Sequence, residues 1–249
     1  MKRAYVTGAV CILVLGLAFP LSGDVAVSVD DGAGILQQVD QYRSFSGNGF
    51  SFDYAVREHG SESDDGIMKV FVHPHDPLQA VVRYEQPARY SSRRILVSPG
   101  GFWMQDRGMR HPIRISAQQM LFGQAAAGDV TSVSFRLQYD VADVYRQDAG
   151  IVLELQKKDG TEVSYPMIRL LVDDNSFRPQ RALFFSQSGR EMRRIVYEQF
   201  GEYAGREMLE LFRIENSLSE AVTHVRLSGY SEQTLPAARF NRNSFGAVR

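Results

Sequence analysis

The chain has 249 residues, 44% of them hydrophobic, with 28 basic side chains against 29 acidic ones and a single cysteine. That length supports a sizeable core. The near-even charge excludes a nucleic-acid binder, whose phosphate partners demand a basic face.

The N-terminus reads MKRAYVTGAVCILVLGLAFPLSGD. Lys2 and Arg3 precede an uncharged apolar run of about 14 residues, Gly8 to Leu21, and the small residues Ser22 and Gly23 follow. The run is shorter than the roughly 20 residues of a membrane span, so residues 1–23 are expected to be a secretory signal peptide cut after Gly23. Cys11 lies inside the run rather than after it, so lipid attachment there is not expected. Cleavage removes Cys11, and with it any disulfide or thiolate metal site. It also takes the 28 basic residues to 26 against 29 acidic ones, a net charge of about −3. An exported chain without disulfides points to a bacterial envelope.

Residues 24–249 read as one domain. GAGILQQVDQYRSF fits a short amphipathic helix with Ile35, Val39 and Tyr42 on one face. The period then changes to two. In FSFDYAV, Phe50, Phe52, Tyr54 and Val56 share a side; IMKVFVH, QAVVRYE and RRILVS continue as short apolar runs. GGFWMQD places Phe102 and Met104 on one face and Trp103 on the other.

Beyond residue 130 come further strand segments: SVSFRLQYDVADVYRQD, IVLELQ with Ile151 and Leu153, VSYPMIRLLVDD, RALFFSQS with Phe184, EMRRIVYEQFG, REMLELFRI with Met208 and Phe212, and AVTHVRLSGYS. Turn signals such as KKDG, QSGR and GEYAG separate them. About eleven strands with no alternating helices predict a mainly β fold, either one strongly curved antiparallel sheet or a barrel. The Met- and Phe-rich strand faces form the core or an adaptable apolar ligand surface; composition alone leaves both open.

The stretch RHPIRISAQQMLFGQAAAGDV, residues 110–130, breaks the pattern. Ser116 is a natural N-cap for a short helix carrying Met120, Leu121 and Phe122 and stopped by Gly123, and Asp129 is placed to open a second helical turn running into Val130 and Val133. Two such pieces cannot extend a sheet, so they are expected to cover its open mouth as a lid.

Catalytic constellations are weak. His73 and His75 in HPHDP sit in a Pro-bounded loop, and SPGG at 98–101 leads into a strand rather than a helix, so neither a metal nor a phosphate loop is expected there. No cofactor is expected. Arg83, Arg89, Arg93, Arg94, Arg107, Arg110 and Arg114 cluster around the Trp103 strand. They read either as cross-strand ion pairs on a solvated face or as a rim that meets anionic headgroups or an acidic partner.

MRHPIRISAQQMLFGQAAAGDV closely resembles the central segment of the bacterial outer-membrane lipoprotein-sorting family, relatives of the carriers LolA and LolB. FSFDYAV resembles the family's first strand and ILVSPGGFWMQD its strand with a central Trp. LLVDDNSFRPQRALFFSQSGREMRRIVYEQF is similar to its paired strands, and LPAARFNRNSF to its C-terminal end. The resemblance implies an incomplete barrel of about eleven strands closed by short helices over an apolar cavity. It implies a non-enzymatic periplasmic shuttle for lipoprotein acyl chains or lipid, an inner-membrane transporter as loading partner, and a monomer. The alternative is a sensor of the same fold that binds a lipidated or unfolded protein and signals through a partner. Phe50, Phe52, Tyr54, Phe102, Trp103, Met104, Ile151, Leu153, Phe184, Met208 and Phe212 are the candidate cavity residues, and Met120, Leu121 and Phe122 the candidate lid. Gln105 and Asp106 depart from the family's apolar residue and Pro, and Ala126 from its Ser.

Overall fold

The computed structural model describes residues 28–45, 49–60, 62, 65–98 and 100–246. The expected signal peptide lies outside them. Helix α1 (Val29–Gln41) opens on a reciprocal cap, in which Asp31 N–H donates to the Ser28 hydroxyl and Ser28 N–H to the Asp31 carboxylate. Ile35, Leu36 and Val39 form its buried face. Tyr42 follows the helix end and donates its hydroxyl to Ser176 O over 2.8 Å.

Strands β1 (Phe50–Glu58), β2 (Gly66–Val72), β3 (Ala80–Gln86), β4 (Arg94–Ser98), β5 (Gly101–Gln105) and β6 (Ile113–Ile115) form an antiparallel meander. A second meander holds β9 (Tyr139–Gln147), β10 (Gly150–Lys157), β11 (Met167–Val172), β12 (Pro179–Phe185), β13 (Glu191–Tyr203), β14 (Arg206–Asn216) and β15 (Val222–Glu232). β1 pairs with β15, which joins the two meanders into one sheet of thirteen strands with β6 and β9 at its edges. The count exceeds the expected eleven because short segments such as Ile113–Ile115 pair onto the sheet as members.

The sheet is open but curls. Laid flat at about 4.8 Å per strand it would be roughly 58 Å wide, yet one apolar cluster joins Tyr84 of β3 to Leu153 of β10 and Ile168 of β11. Register shifts in β1, β10, β11, β12 and β13 mark bulges that bend the strands. The two ends of the sheet meet side to side. Gln118 Nε2 donates to Ser164 O over 2.6 Å, the Ser164 hydroxyl donates to Ala117 O over 3.1 Å, and Arg114 pairs with Glu162. On the outer face a second cluster forms where Leu235, Phe240 and Phe245 of the C-terminal segment cover Phe71, Val81 and Leu96.

Residues 116–138 carry the chain from edge β6 to edge β9 across the inner face. The helix expected after Ser116 is absent. A turn in which Gln119 N–H donates to Ser116 O (3.0 Å) leads into a hairpin of β7 (Met120–Phe122) and β8 (Ala125–Ala126). Tertiary contacts override the helical signal. Phe122 packs on Gly66, where a Cβ would stand 2.3 Å from its ring, and its ring centroid lies 5.3 Å from that of Tyr84. Gly123 makes the turn at φ +49°, a conformation β-branched or bulky side chains resist.

Helix α2 (Ala127–Thr131) begins two residues before Asp129, whose carboxylate instead accepts from Ala126 N–H over 2.8 Å. The start of the strand expected across 132–148 is a third helix, α3 (Phe135–Gln138). Asp40 of α1 causes this. Its buried carboxylate accepts from the Ser134 hydroxyl (2.5 Å), Phe135 N–H (2.7 Å) and Arg136 N–H (3.1 Å), so it caps α3 from outside.

Burial pushes the Asp40 carboxyl above the ordinary carboxylate range, and those three bonds only partly offset it. The native state therefore holds this proton to higher pH than the unfolded chain does. The stability linked to it is complete below about pH 4 and is lost as pH rises through the native value. The urea midpoint of the protein, taken relative to the Asp40→Asn variant, is expected to fall as pH rises above about 4, the carboxylate value of the unfolded chain. A pH-independent difference would contradict the raised value.

Candidate functional site

The inner face of the half-barrel is the natural site, because the chain crosses it. Phe50, Phe52, Tyr54, Ile151, Leu153, Phe184, Met208 and Phe212 are all buried there in one cluster, beneath α1, α2 and α3. Their rings interlock: Phe50 and Phe52 stack at 6.0 Å, and Tyr54 meets Phe212 edge-on at 6.1 Å. Met104, Leu121 and Phe122 pack on the margin of the cluster, half-buried. Phe102 is buried in a small adjoining cluster with Val97, Ala117 and Ala127.

Two expected site residues lie elsewhere. Trp103 faces the outside of the sheet, where the Arg242 guanidinium stands 3.6 Å above its ring. Strand alternation separates it from Phe102 and Met104, and the C-terminal segment fixes which face is inner. Met120 points outward at 43% exposure, because the hairpin gives adjacent residues opposite faces where a helix would have grouped them.

The crossing segment occupies the inner face with small residues and a few apolar ones. Ala125, Ala126 and Ala127 are fully buried, which lets the backbone lie against the sheet, and Val130, Val133 and Phe135 follow them inward. Ala126 is the N-cap of α2 and offers no side-chain cap; its N–H donates to the Asp129 carboxylate instead. The hairpin tip is held by Gln124 N–H donating to the Thr223 hydroxyl (2.9 Å) and by Asn216 Nδ2 donating to Gln124 Oε1 (2.8 Å).

The strongest anchor is polar. Asp129 of α2 and Arg193 of β13 form an ion pair at 2.6 Å, their side chains 6% and 4% exposed. The Arg193 guanidinium faces both Tyr165 (5.6 Å) and Phe184 (5.9 Å), whose ring centroids are themselves 5.5 Å apart. Burial is the largest single influence and works against its charge, but Asp129 together with the phenols of Tyr165 and Tyr54 outweighs it and raises its pKa. Around this pair, burial pushes up the phenols of Tyr54, Tyr139 and Tyr197. The Tyr54 and Tyr197 hydroxyls make no hydrogen bond among the described residues. The inner face is thus an apolar trough with a polar spot that Asp129 covers.

The comparisons fit this geometry. A protein family described only as an uncharacterized protein matches residues 77–246. A solved LolA superfamily protein from Nitrosomonas europaea is 27% identical, with a TM-score of 0.73 over 84% of this chain and 97% of its own. The chain belongs to that family and has the LolA-like fold. The same fold appears at 16% identity in an outer membrane lipoprotein-sorting protein domain from Vibrio parahaemolyticus, with a TM-score of 0.68 over 88% of this chain and 99% of that one. It appears again at 16% identity in a DUF1329 family protein from Desulfovibrio piger, with a TM-score of 0.67 over 86% and 98%. No curated protein matches the chain.

Within this LolA-like fold, sequence reasoning missed Arg193 and Asp40. For Arg193 a signal existed: in EMRRIVY it shares its strand face with Ile195 and Tyr197, and a charge in phase with inward apolar residues marks a buried partner. The family departures also have local causes. Asp106 is held by Ser92 (2.5 Å) and Arg93 (3.0 Å), and Gln105 donates to Met109 O (2.7 Å) across the β5–β6 turn. The His73 and His75 rings stand 6.1 Å apart; His73 Nδ1 accepts from His75 N–H and its ring packs on Phe240.

Asp129→Ala leaves a buried guanidinium unpaired and is expected to cost about 3–5 kcal/mol in urea unfolding. The Asp129→Ala/Arg193→Met double variant should recover at least half of that. A double variant no more stable than the single would show that the pair is not what holds α2 down.

Proposed function

We propose that this protein is a non-enzymatic carrier of the bacterial periplasm. It takes acyl chains of a lipoprotein or lipid into the inner face of its half-barrel, loaded by an inner-membrane transporter, and moves them toward the outer membrane. The observation that carries this reading is the crossing segment. Residues 116–138 fill the apolar trough without pairing to either sheet edge, and a few side-chain bonds hold them there.

The energetics suit reversible loading. An acyl chain of about 16 carbons has about 12 kcal/mol of burial available, at roughly 0.8 kcal/mol per methylene. Displacing Leu121, Phe122, Val130 and Val133 costs on the order of 1.5–3 kcal/mol each, roughly 6–12 kcal/mol together. The segment therefore offsets much of the gain from cargo burial, which favours release. The phenols of Tyr54 and Tyr197 offer donors to the ester carbonyls of a lipid headgroup as it enters.

Protein purified from the periplasm after expression of the full precursor is expected to carry a stoichiometric acylated species, detected by native mass spectrometry and displaced by a fluorescent fatty acid. Leu121→Ala/Phe122→Ala weakens the competitor for the trough and should raise fatty-acid affinity about tenfold or more, while Met120→Ala, at an exposed position, leaves it unchanged. An empty protein that ignores the fatty-acid probe would end the carrier reading.

A further inference from the structure

The arginines around the Trp103 strand are not all alike. Arg83 pairs with Glu85, Arg93 with Asp106 and Arg114 with Glu162. Arg94 donates to the carbonyls of Ser91 and Arg93, and Arg89 lies 4.8 Å over the Tyr90 ring. Arg107 and Arg110, in the β5–β6 turn, have neither an acidic partner nor an aromatic one among the described residues. They line an open pocket of about 670 Å³ on the outer side of the sheet, between that turn and the C-terminal segment.

Arg242 completes the lining from the opposite wall. Its guanidinium stands 3.6 Å over the Trp103 ring, a contact that holds the group at the pocket wall while leaving its N–H donors for a ligand. His111 and Asn243 add further donors. The one acid in the lining, Asp106, is already satisfied by Ser92, Arg93 and the Arg107 N–H. Three arginines thus line one pocket whose single acid is already paired with Arg93, in a chain whose formal net charge is −1, so the positive spot does not follow from overall basicity.

The geometry points to an anion site in this pocket, and we infer that it takes a phosphoryl group, free on a small metabolite or displayed by a phospholipid headgroup. Planar guanidinium forks match phosphate oxygens two at a time, and several around one pocket bind phosphate more tightly than a single carboxylate. A peptide is the weaker fit. It would need a long free sheet edge beside the charges, whereas β6 is three residues long and its far end is tied to the β10–β11 loop through Gln118 and Ser164. The site lies on the face opposite the apolar trough, so it stands independently of the cargo reading.

Two probes test it on the mature protein: sn-glycerol 3-phosphate by calorimetric titration, and flotation with phosphatidylglycerol-containing vesicles against phosphatidylcholine vesicles. Arg107→Gln/Arg110→Gln removes two charges from an exposed turn, and Arg89→Gln, a cluster arginine outside the pocket, controls for net charge. Binding to either probe should weaken at least tenfold in the double variant, weaken with added salt, and stay within about twofold in Arg89→Gln. Titration without flotation would assign a soluble phosphorylated ligand; flotation restricted to phosphatidylglycerol vesicles would assign a headgroup. Binding to neither probe, or equal loss in Arg89→Gln, overturns the site.

Discussion

Everything in this molecule follows from where the sheet's two free edges fall in the chain. β1 and β15 pair in the middle of the sheet, so the edges β6 and β9 are consecutive sheet strands and the chain must travel between them. A strongly twisted sheet of thirteen strands curls until those edges approach. The connection then has one short route, over the inner face. Residues 116–138 cover the inner face as a consequence of connectivity.

The connection is fastened by polar groups at particular points rather than by a continuous ladder. Asp129 meets Arg193 beneath α2, and Asp40 caps α3 from α1. Buried charges of this kind contribute little net stability against an apolar replacement, but they strongly penalise any arrangement in which one partner is left alone. They favour one seated position for the segment. The alanines around them are fully buried and keep the rest of the segment thin against the sheet.

Legibility in the sequence tracked the range of the interactions concerned. FSFDYAV showed its inward set, Phe50, Phe52, Tyr54 and Val56, because a strand's side-chain period is local and all four are buried. The apolar face of α1 was visible for the same reason. Ser116 and Gly123 are sound local signals for a helix ending in MLFG, yet Gly66, over 50 residues away in sequence, supplies the flat surface on which Phe122 settles and the hairpin wins. Trp103 showed its alternation but not its side, since the covering residues Leu235, Phe240 and Phe245 belong to the far C-terminal segment.

The sequence by itself determined the β class, the antiparallel character of the short strands, the alternation within strands such as FSFDYAV and GFWMQD, and the resemblance to lipoprotein-sorting proteins, because periodicity, turn residues and motifs are encoded within a few residues of one another. Tertiary structure alone decided which phase faces inward, that 116–123 is a hairpin and 134–138 a helical turn, that Arg193 meets Asp129, and that Arg107, Arg110 and Arg242 share a pocket. Each of those rests on groups brought together from distant strands, where burial and charge pairing outweigh local preference.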